Sequence, residues 1–302
     1  MNITGLVFKG SFAFLAAGSA ATIGLLTVKK SLTRDVVAIA LSVICVAGVF
    51  VYSYFIEPNW IKIHHVQIHD KNLARRVGNL KIVHITDLHL HDGVGFREKQ
   101  MIEKVNALQP DLIFVTGDII DDLTQVKPAN QIFKSLHAKL GMFGVPGNTD
   151  HIVMDSPSLA RQLAQSGIDI LKNENRQLRF PNHVSVWLVG ADDPVYGYAR
   201  LQDAVGGVPE GATTILLAHS PDIFEQAVEE RINLVLVGHT HGGQVGIPFL
   251  VHLSNYANRT PYMRGLFTKG QTKMYVNTGI GTKTLPIRFL CRPEIAVIEV
   301  VE

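Results

Sequence analysis

Apolar and polar positions divide the chain after residue 56. Before that point two long apolar runs dominate, residues 10–28 and 36–56. Each is close to the roughly 20 residues that a helix needs to cross a bilayer's hydrocarbon core. The second, VVAIALSVICVAGVFVYSYFI, is the stronger span, because it ends in a Tyr/Phe-rich patch suited to a membrane interface. The first is interrupted by Gly, Ser and Thr. A cleaved signal peptide would give way to a polar mature chain, whereas here a second apolar run follows.

After Glu57-Pro58 the pattern changes. WIKIHHVQIHD alternates as a strand does. From Leu80 onward a theme recurs: a short apolar strand stops at a polar residue, and a loop and often a helix follow. The predicted strands LKIVHIT, DLIFVTG, MFGVPG, TILLAH and NLVLVG are apolar almost throughout, as suits strands covered on both faces. HVSVWLVG, KMYVNTG and the terminal EIAVIEVVE are predicted strands as well. REKQMIEKVNALQ places Met101, Ile102, Val105 and Leu108 on one helical face. ANQIFKSLHAKL, SPSLARQLAQSG and PDIFEQAVEERI share that spacing, the second with Asp155 or Ser156 as N-cap and Pro157 in its first turn. The alternation predicts a layered α/β fold over residues 57–302. A membrane anchor of one or two transmembrane helices over residues 1–56 precedes it.

Composition adds little to this division. The 47% hydrophobic content is a local excess: in residues 1–56 only Lys9, Lys29, Lys30, Arg34 and Asp35 are charged. A net charge of +2 gives no reason to expect a nucleic-acid partner. Cys45 and Cys291 make no disulfide framework. The basic loop KKSLTRD between the apolar runs belongs in the cytoplasm by the positive-inside rule. The expected location is therefore the cell membrane, with the globular domain outside the cytoplasm. A hairpin lying in the interface would instead leave the domain cytoplasmic.

The chemistry stands at the strand ends. IVHIT runs into Asp87-Leu88-His89, and IFVT into Gly117-Asp118. FGVP runs into Gly147-Asn148-Thr149-Asp150, ILLA into His219, and VLV into Gly238-His239-Thr240-His241. In open α/β sheets ligands bind beyond the carboxyl ends of the strands. Imidazole, carboxylate and carboxamide are metal ligands that suit manganese, zinc and iron. Asp-x-His and His-x-His put two such side chains on one side of an extended segment. The glycines before Asp118, Asn148 and His239 allow sharp turns and close backbone approach. Each piece alone is ordinary turn chemistry, and an isolated His219 would read as a core histidine. The force lies in the ordered set.

That set, D-x-H, GD, GN-x-D, H and GHTH, resembles the calcineurin-like metallophosphoesterases from about residue 79 to the C-terminus. The stretches GHTHGGQ, NTGIGTKTLPIR and RPEI are similar to a bacterial, membrane-attached branch that includes UDP-2,3-diacylglucosamine pyrophosphatases. The resemblance implies a two-sheet α/β sandwich and two divalent metal ions, manganese first, with zinc or iron as alternatives. It implies Asp87, His89 and His241 on the first metal, Asn148, His219 and His239 on the second, and Asp118 bridging. The activity implied is hydrolysis of a phosphodiester or phosphoanhydride, and the branch implies a phosphate-containing, lipid-linked substrate.

One position departs from the family pattern. Many members carry His after the Asn, where it stabilises the phosphate or protonates the leaving group; here Thr149 stands there. The expectation shifts to substrates with good leaving groups, with His151 as a replacement acid; Asp150 is a second catalytic candidate, read as orienting a ligand or as capping a turn. His91 and Asp92 are read as loop or supporting residues, and Asp121 and Asp122 as solvated. The segment IPFLVHLSNYANRTPYMRGLF, with Arg259 and Arg264, is read either as a lipid-facing loop or as packing over the sheet. A soluble or protein substrate, or a non-catalytic scaffold, are the competing functions; the scaffold predicts eroded ligands, and all the positions are filled.

Overall fold

The computed structural model describes residues 32–78, 80–180, 185–247 and 260–302. The first apolar run, Lys9, Lys29, Lys30 and most of the Arg259 segment lie outside the described residues. The chain divides into two compact units, Met1–Ile56 and Glu57–Glu302. In the first, helix α1 (Leu32–Val51) runs on into a π-helical turn, Tyr52–Ile56. The stretch Arg34–Asn59 is long and apolar enough to cross a membrane. Val36, Leu41, Ile44 and Phe55 are exposed on it. Its serines turn inward on the helix: Ser42 donates to the Ala38 carbonyl and Ser53 to the Val49 carbonyl. That satisfies their hydroxyls within the helix itself.

The second unit is a sandwich of two six-stranded sheets. Its strands are β1 (Lys62–His69), β2 (Ile82–Ile85), β3 (Leu112–Thr116), β4 (Met142–Val145), β5 (Ile168–Ile170), β6 (Glu174–Arg179), β7 (Ser185–Gly190), β8 (Thr214–Leu217), β9 (Leu234–Val237), β10 (Gly265–Lys269), β11 (Thr272–Val276) and β12 (Glu294–Val301). One sheet has the order β1-β12-β2-β3-β4-β5 and the other β10-β11-β9-β8-β7-β6. The helices are α2 (Lys71–Val77), α3 (Phe96–Leu108), α4 (Val126–Ser135), α5 (Asn148–Val153), α6 (Ser156–Ala164), α7 (Leu201–Ala204) and α8 (Phe224–Glu229).

Strand alternation explains the layers. Leu112 and Phe114 of β3 meet Leu188, Leu217 and Leu236 between the sheets. Ile113 and Val115 point the other way, into a cluster with Met101, Val105, Phe133 and Leu159 from the helices. Val189, Leu216 and Val235 pack with Ala204 and Phe224 on the outer face of the second sheet. Both faces of β3, β8 and β9 are thus covered, and their uninterrupted apolar sequences follow. Truncating Phe114, which is fully buried, would cost about 3–5 kcal/mol. The pairs β2–β3, β3–β4, β7–β8 and β8–β9 are parallel, so each sheet gathers carboxyl ends at one edge.

Two sequence expectations are corrected locally. The helix expected over ANQIFKSLHAKL ends at Ser135, with Leu136 extended. Asn106 of α3 reaches across, donating to the Ser135 carbonyl and accepting from the His137 N–H. These tertiary bonds outweigh the local apolar spacing. The GNTD turn is the start of a short helix, α5, whose N-cap is Gly147. At α6 the N-cap is Asp155, which accepts from the Ser158 N–H.

Candidate metal centre

Strand ends β2, β3, β8 and β9 and the start of α5 deliver their polar residues to one place. The His89 and His241 Nε2 atoms lie 3.1 Å apart, and His241 Nε2 lies 3.4 Å from Asp87 Oδ1. His219 Nε2 stands 3.0 Å from Asn148 Oδ1, 3.2 Å from His239 Nδ1 and 3.4 Å from Asp118 Oδ1. His89 Nε2 is 3.3 Å from the other Asp118 oxygen. All seven residues singled out in the sequence therefore converge. Two groups have donor atoms close enough to share an ion: Asp87 with His89 and His241, and Asp87 with Asp118 and His219.

The backbone is bent to achieve this. Asp87, His89, Asp118, His239 and His241 all hold positive φ, between 45° and 70°, a region that residues with a Cβ seldom occupy. Such strain persists where surrounding contacts over-determine it and gathers at functional sites. The neighbouring glycines provide room. A Cβ on Gly238 would lie 2.2 Å from Asp87 Oδ2, and one on Gly117, itself at φ +84°, would strike Gly147 and His219. Behind Asp87 the loop following β11 is pinned to the rim: Ile280 N–H donates to the Thr86 carbonyl and Gly281 N–H to the Asp87 carbonyl. Arg288, fully buried, holds that loop by donating to the carbonyls of Thr278, Gly279, Gly281 and Cys291.

Ring orientation is set from outside the cluster. His219 Nδ1 bonds the Thr116 carbonyl at 2.8 Å, and His89 Nδ1 bonds Asp121 Oδ1 at 2.7 Å. Each bond turns the Nε2 of its ring toward the cluster, the arrangement that fixes the tautomer of a ligating histidine. Asp121 is therefore not the solvated residue expected; its partner is distant in sequence. Asp122 caps the turn at Leu123–Gln125. His91 bonds the His89 carbonyl, and Asp92 is exposed.

Two buried carboxylates cannot balance four charged imidazoles, and the ionisation of the group splits accordingly. Burial favours the neutral form of His219, yet Asp118 and Asp87 outweigh it and push its pKa up to about 10. Burial, with His219 beside it, drives His239 down to about 3, and burial likewise holds His241 well below the usual histidine range. Burial would raise the Asp118 carboxyl, but His219, His89 and the Thr149 hydroxyl hold it well below the usual carboxylate range. Buried neutral imidazoles beside carboxylates are the donor set that divalent cations take. His241 Nδ1 is buried with no hydrogen-bond partner, so only the opposite nitrogen of that ring is engaged, and it faces the cluster.

The catalytic expectations for Asp150 and His151 meet a different arrangement. Asp150 is fully buried, and its carboxylate accepts from the N–H groups of Ile119, Ile120 and Gly147. Burial and the Asp118 charge raise it to about 6. It clamps the loop that carries Asp118 and caps its own helix. His151 turns Nε2 to Asp192 Oδ1 at 2.7 Å and to Ser156 Oγ at 2.9 Å, and stacks on Tyr198 at 4.3 Å. Neither contact set reaches the clustered donor atoms. A cavity of about 400 Å³ opens over the cluster, lined by Asp118, Asn148, His239 and His241 and walled by Gln244, Lys283, Val245, Leu285 and Ile287. Lys283 was not singled out in the sequence: it lies within the NTGIGTKTLPIR stretch, but no strand end or ligand spacing marks it there.

Comparison with known proteins agrees with this geometry. The sequence profile of the calcineurin-like phosphoesterases matches residues 80–243. The chain is 29% identical to the uncharacterized metallophosphoesterase YkuE of Bacillus subtilis (strain 168), across 86% of this chain and 92% of that one. It is 28% identical to phosphodiesterase YaeI of Escherichia coli (strain K12), across 83% and 93%. It is 30% identical to a transmembrane protein with metallophosphoesterase domain of Danio rerio, matching 84% of this chain but 61% of that longer protein. With an Asp/His cluster that fits a dinuclear divalent metal site, the chain belongs to the calcineurin-like phosphoesterase family and is a metal-dependent phosphoester hydrolase.

Proposed function

We propose that the protein is a membrane-anchored two-metal phosphohydrolase that cleaves a phosphodiester or phosphoanhydride. In this reading Asp87, His89 and His241 hold one cation, Asn148, His219 and His239 the other, and Asp118 is shared. The observation that carries it is the meeting of these seven side chains, at 3.0 to 3.4 Å, where the strand ends of the two sheets come together. When bound, a pair of divalent cations clamps a phosphoryl group and lowers the pKa of water, which suits in-line displacement at phosphorus.

The chain's own residues have separable tasks. Thr116 and Asp121 aim two imidazoles. The Thr149 N–H and hydroxyl hold both oxygens of Asp118, each at 2.7 Å. Asp150 fixes the loop behind it. Thr149 supplies no ready proton for a poor leaving group, which favours anhydrides and activated diesters over alkyl monoesters; the name of the E. coli relative supports diesters. The apolar cavity wall and the Arg34–Asn59 helix support a lipid-linked substrate such as UDP-2,3-diacylglucosamine. The basic loop before that helix supports a catalytic domain outside the cytoplasm. Manganese is the first cation to try.

The test is turnover of bis(4-nitrophenyl) phosphate, UDP-2,3-diacylglucosamine, phospholipids and an alkyl monoester with added manganese, for wild type and Asp118→Asn. Loss of all turnover in a folded Asp118→Asn protein is expected. Unchanged turnover would refute the two-metal reading, and a preference for the alkyl monoester would refute the substrate ranking.

A further inference from the structure

Thr149 leaves a gap in the chemistry of the site, and His151 is engaged by Asp192 and Ser156. The one cationic side chain lining the cavity over the cluster, among the described residues, is Lys283. Its Nζ donates to Thr149 Oγ1 at 2.9 Å, and that same hydroxyl donates to Asp118 Oδ2 at 2.7 Å. The ammonium thus sits one hydroxyl away from the carboxylate at the centre of the cluster. Its other acidic neighbour, Asp121 Oδ1, is farther at 3.7 Å and is already bonded to His89. The side chain is half-exposed, with donor capacity left toward the cavity, since an ammonium carries three N–H groups.

The loop that carries it is built to hold it there. The Gln244 carboxamide accepts from the Lys283 N–H and donates to the carbonyls of Lys283 and Leu285. Between them Thr284 adopts φ +63°, unfavourable for a β-branched residue. Gln244 itself immediately follows the turn that bears His241. One side chain therefore ties the Lys283 loop to the metal-ligand loop, and backbone strain is accepted to keep the two in register.

We propose that Lys283 is a substrate-contacting residue, the cation that meets the phosphoryl oxygens of a substrate in the cavity over the cluster, in the place other family members fill with the histidine that Thr149 replaces. This rests on the phosphohydrolase reading above. A fixed positive charge there neutralises the phosphate without requiring a proton transfer, and it acts on a diester or anhydride whose leaving group departs unaided. Lysine serves phosphate as a point charge.

The test separates the two claims. Inorganic phosphate is titrated calorimetrically into manganese-loaded wild type, Lys283→Met and Lys283→Arg, and turnover of bis(4-nitrophenyl) phosphate is measured on the same samples. Manganese content and thermal midpoint verify that each variant is folded and loaded. Lys283→Met is expected to weaken phosphate binding and lower kcat/KM by about 10- to 100-fold, as for loss of a charged hydrogen bond, and Lys283→Arg to recover most of both. A purely structural lysine would leave phosphate affinity untouched. Equal phosphate affinity in wild type and Lys283→Met, or no phosphate binding by wild type at all, overturns the inference. Wild type that binds phosphate through Lys283 yet turns over no diester tells against the hydrolase reading alone.

Discussion

Thr149 holds both oxygens of Asp118, its backbone N–H on Oδ1 and its hydroxyl on Oδ2, each at 2.7 Å. The residue that departs from the family pattern is thus not a vacancy. It orients the carboxylate on which both halves of the cluster converge, from a position only 4% exposed. Thr149→Ala keeps the backbone bond and loses the other. We expect kcat/KM on bis(4-nitrophenyl) phosphate to fall roughly 10-fold, the lower end for partners that orient metal ligands. Thr149→Ser should stay near wild type. Equal activity of the Ala variant would show that the N–H alone suffices.

Asp121 makes the corresponding contact to His89, at 2.7 Å from Nδ1. Asp121→Asn retains size and removes the charge that fixes the imidazole tautomer. Manganese affinity is expected to weaken about 10- to 100-fold with little change in thermal midpoint of the metal-free protein. A metal titration monitored by calorimetry reads this directly. Unchanged affinity would leave Asp121 a loop residue.

These two residues mark how far the sequence could be read. The candidate ligands were legible because each follows an apolar strand, and β2, β3, β8 and β9 are buried on both faces. Asp121 and Lys283 were not, because their partners His89 and Thr149 are 32 and 134 positions away. β6, with the sequence ENRQLR, was missed for another reason. It forms an edge of its sheet and is partly exposed along its length, so it carries no apolar alternation to detect. The end of α4 was misplaced because Asn106, on another helix, terminates it.

His151 yields a pH dependence whose sign follows from its partners. Burial alone would lower its pKa, but the hydrogen bond and charge of Asp192 outweigh burial and raise it. An unfolded histidine titrates near pH 6.5. With the folded pKa above that, the stabilisation by the Asp192 pair is complete below about pH 6.5 and fades as pH rises through the folded value. Urea unfolding of wild type and His151→Gln should show a gap of roughly 1–2 kcal/mol in acid that narrows in mild alkali. A gap that widens with pH would reverse the assignment. Turnover of the variant should fall far less than that of Asp118→Asn, since the imidazole faces Asp192 rather than the ligand atoms.

Metal removal tests the strained rim as a whole. Five of the ligand candidates hold positive φ, and such residues cost of order 1–3 kcal/mol each unless surrounding contacts over-determine them. Two buried carboxylates and four imidazoles also crowd one another there. A cation that binds only the folded chain stabilises it by about 2.7 kcal/mol at a hundredfold excess over Kd. We therefore expect chelation to lower the thermal midpoint by several degrees, with manganese restoring it. Asp118→Asn should abolish most of that response, because it removes the charge of the carboxylate at the centre of the cluster while leaving Asp87, His89 and His241 in place. Gly238→Ala should do so by a different route, since its Cβ would displace Asp87 from the cluster. If chelated and manganese-loaded wild type melt together, the rim is held by protein contacts alone, and the positive φ values belong to the loops rather than to the metals.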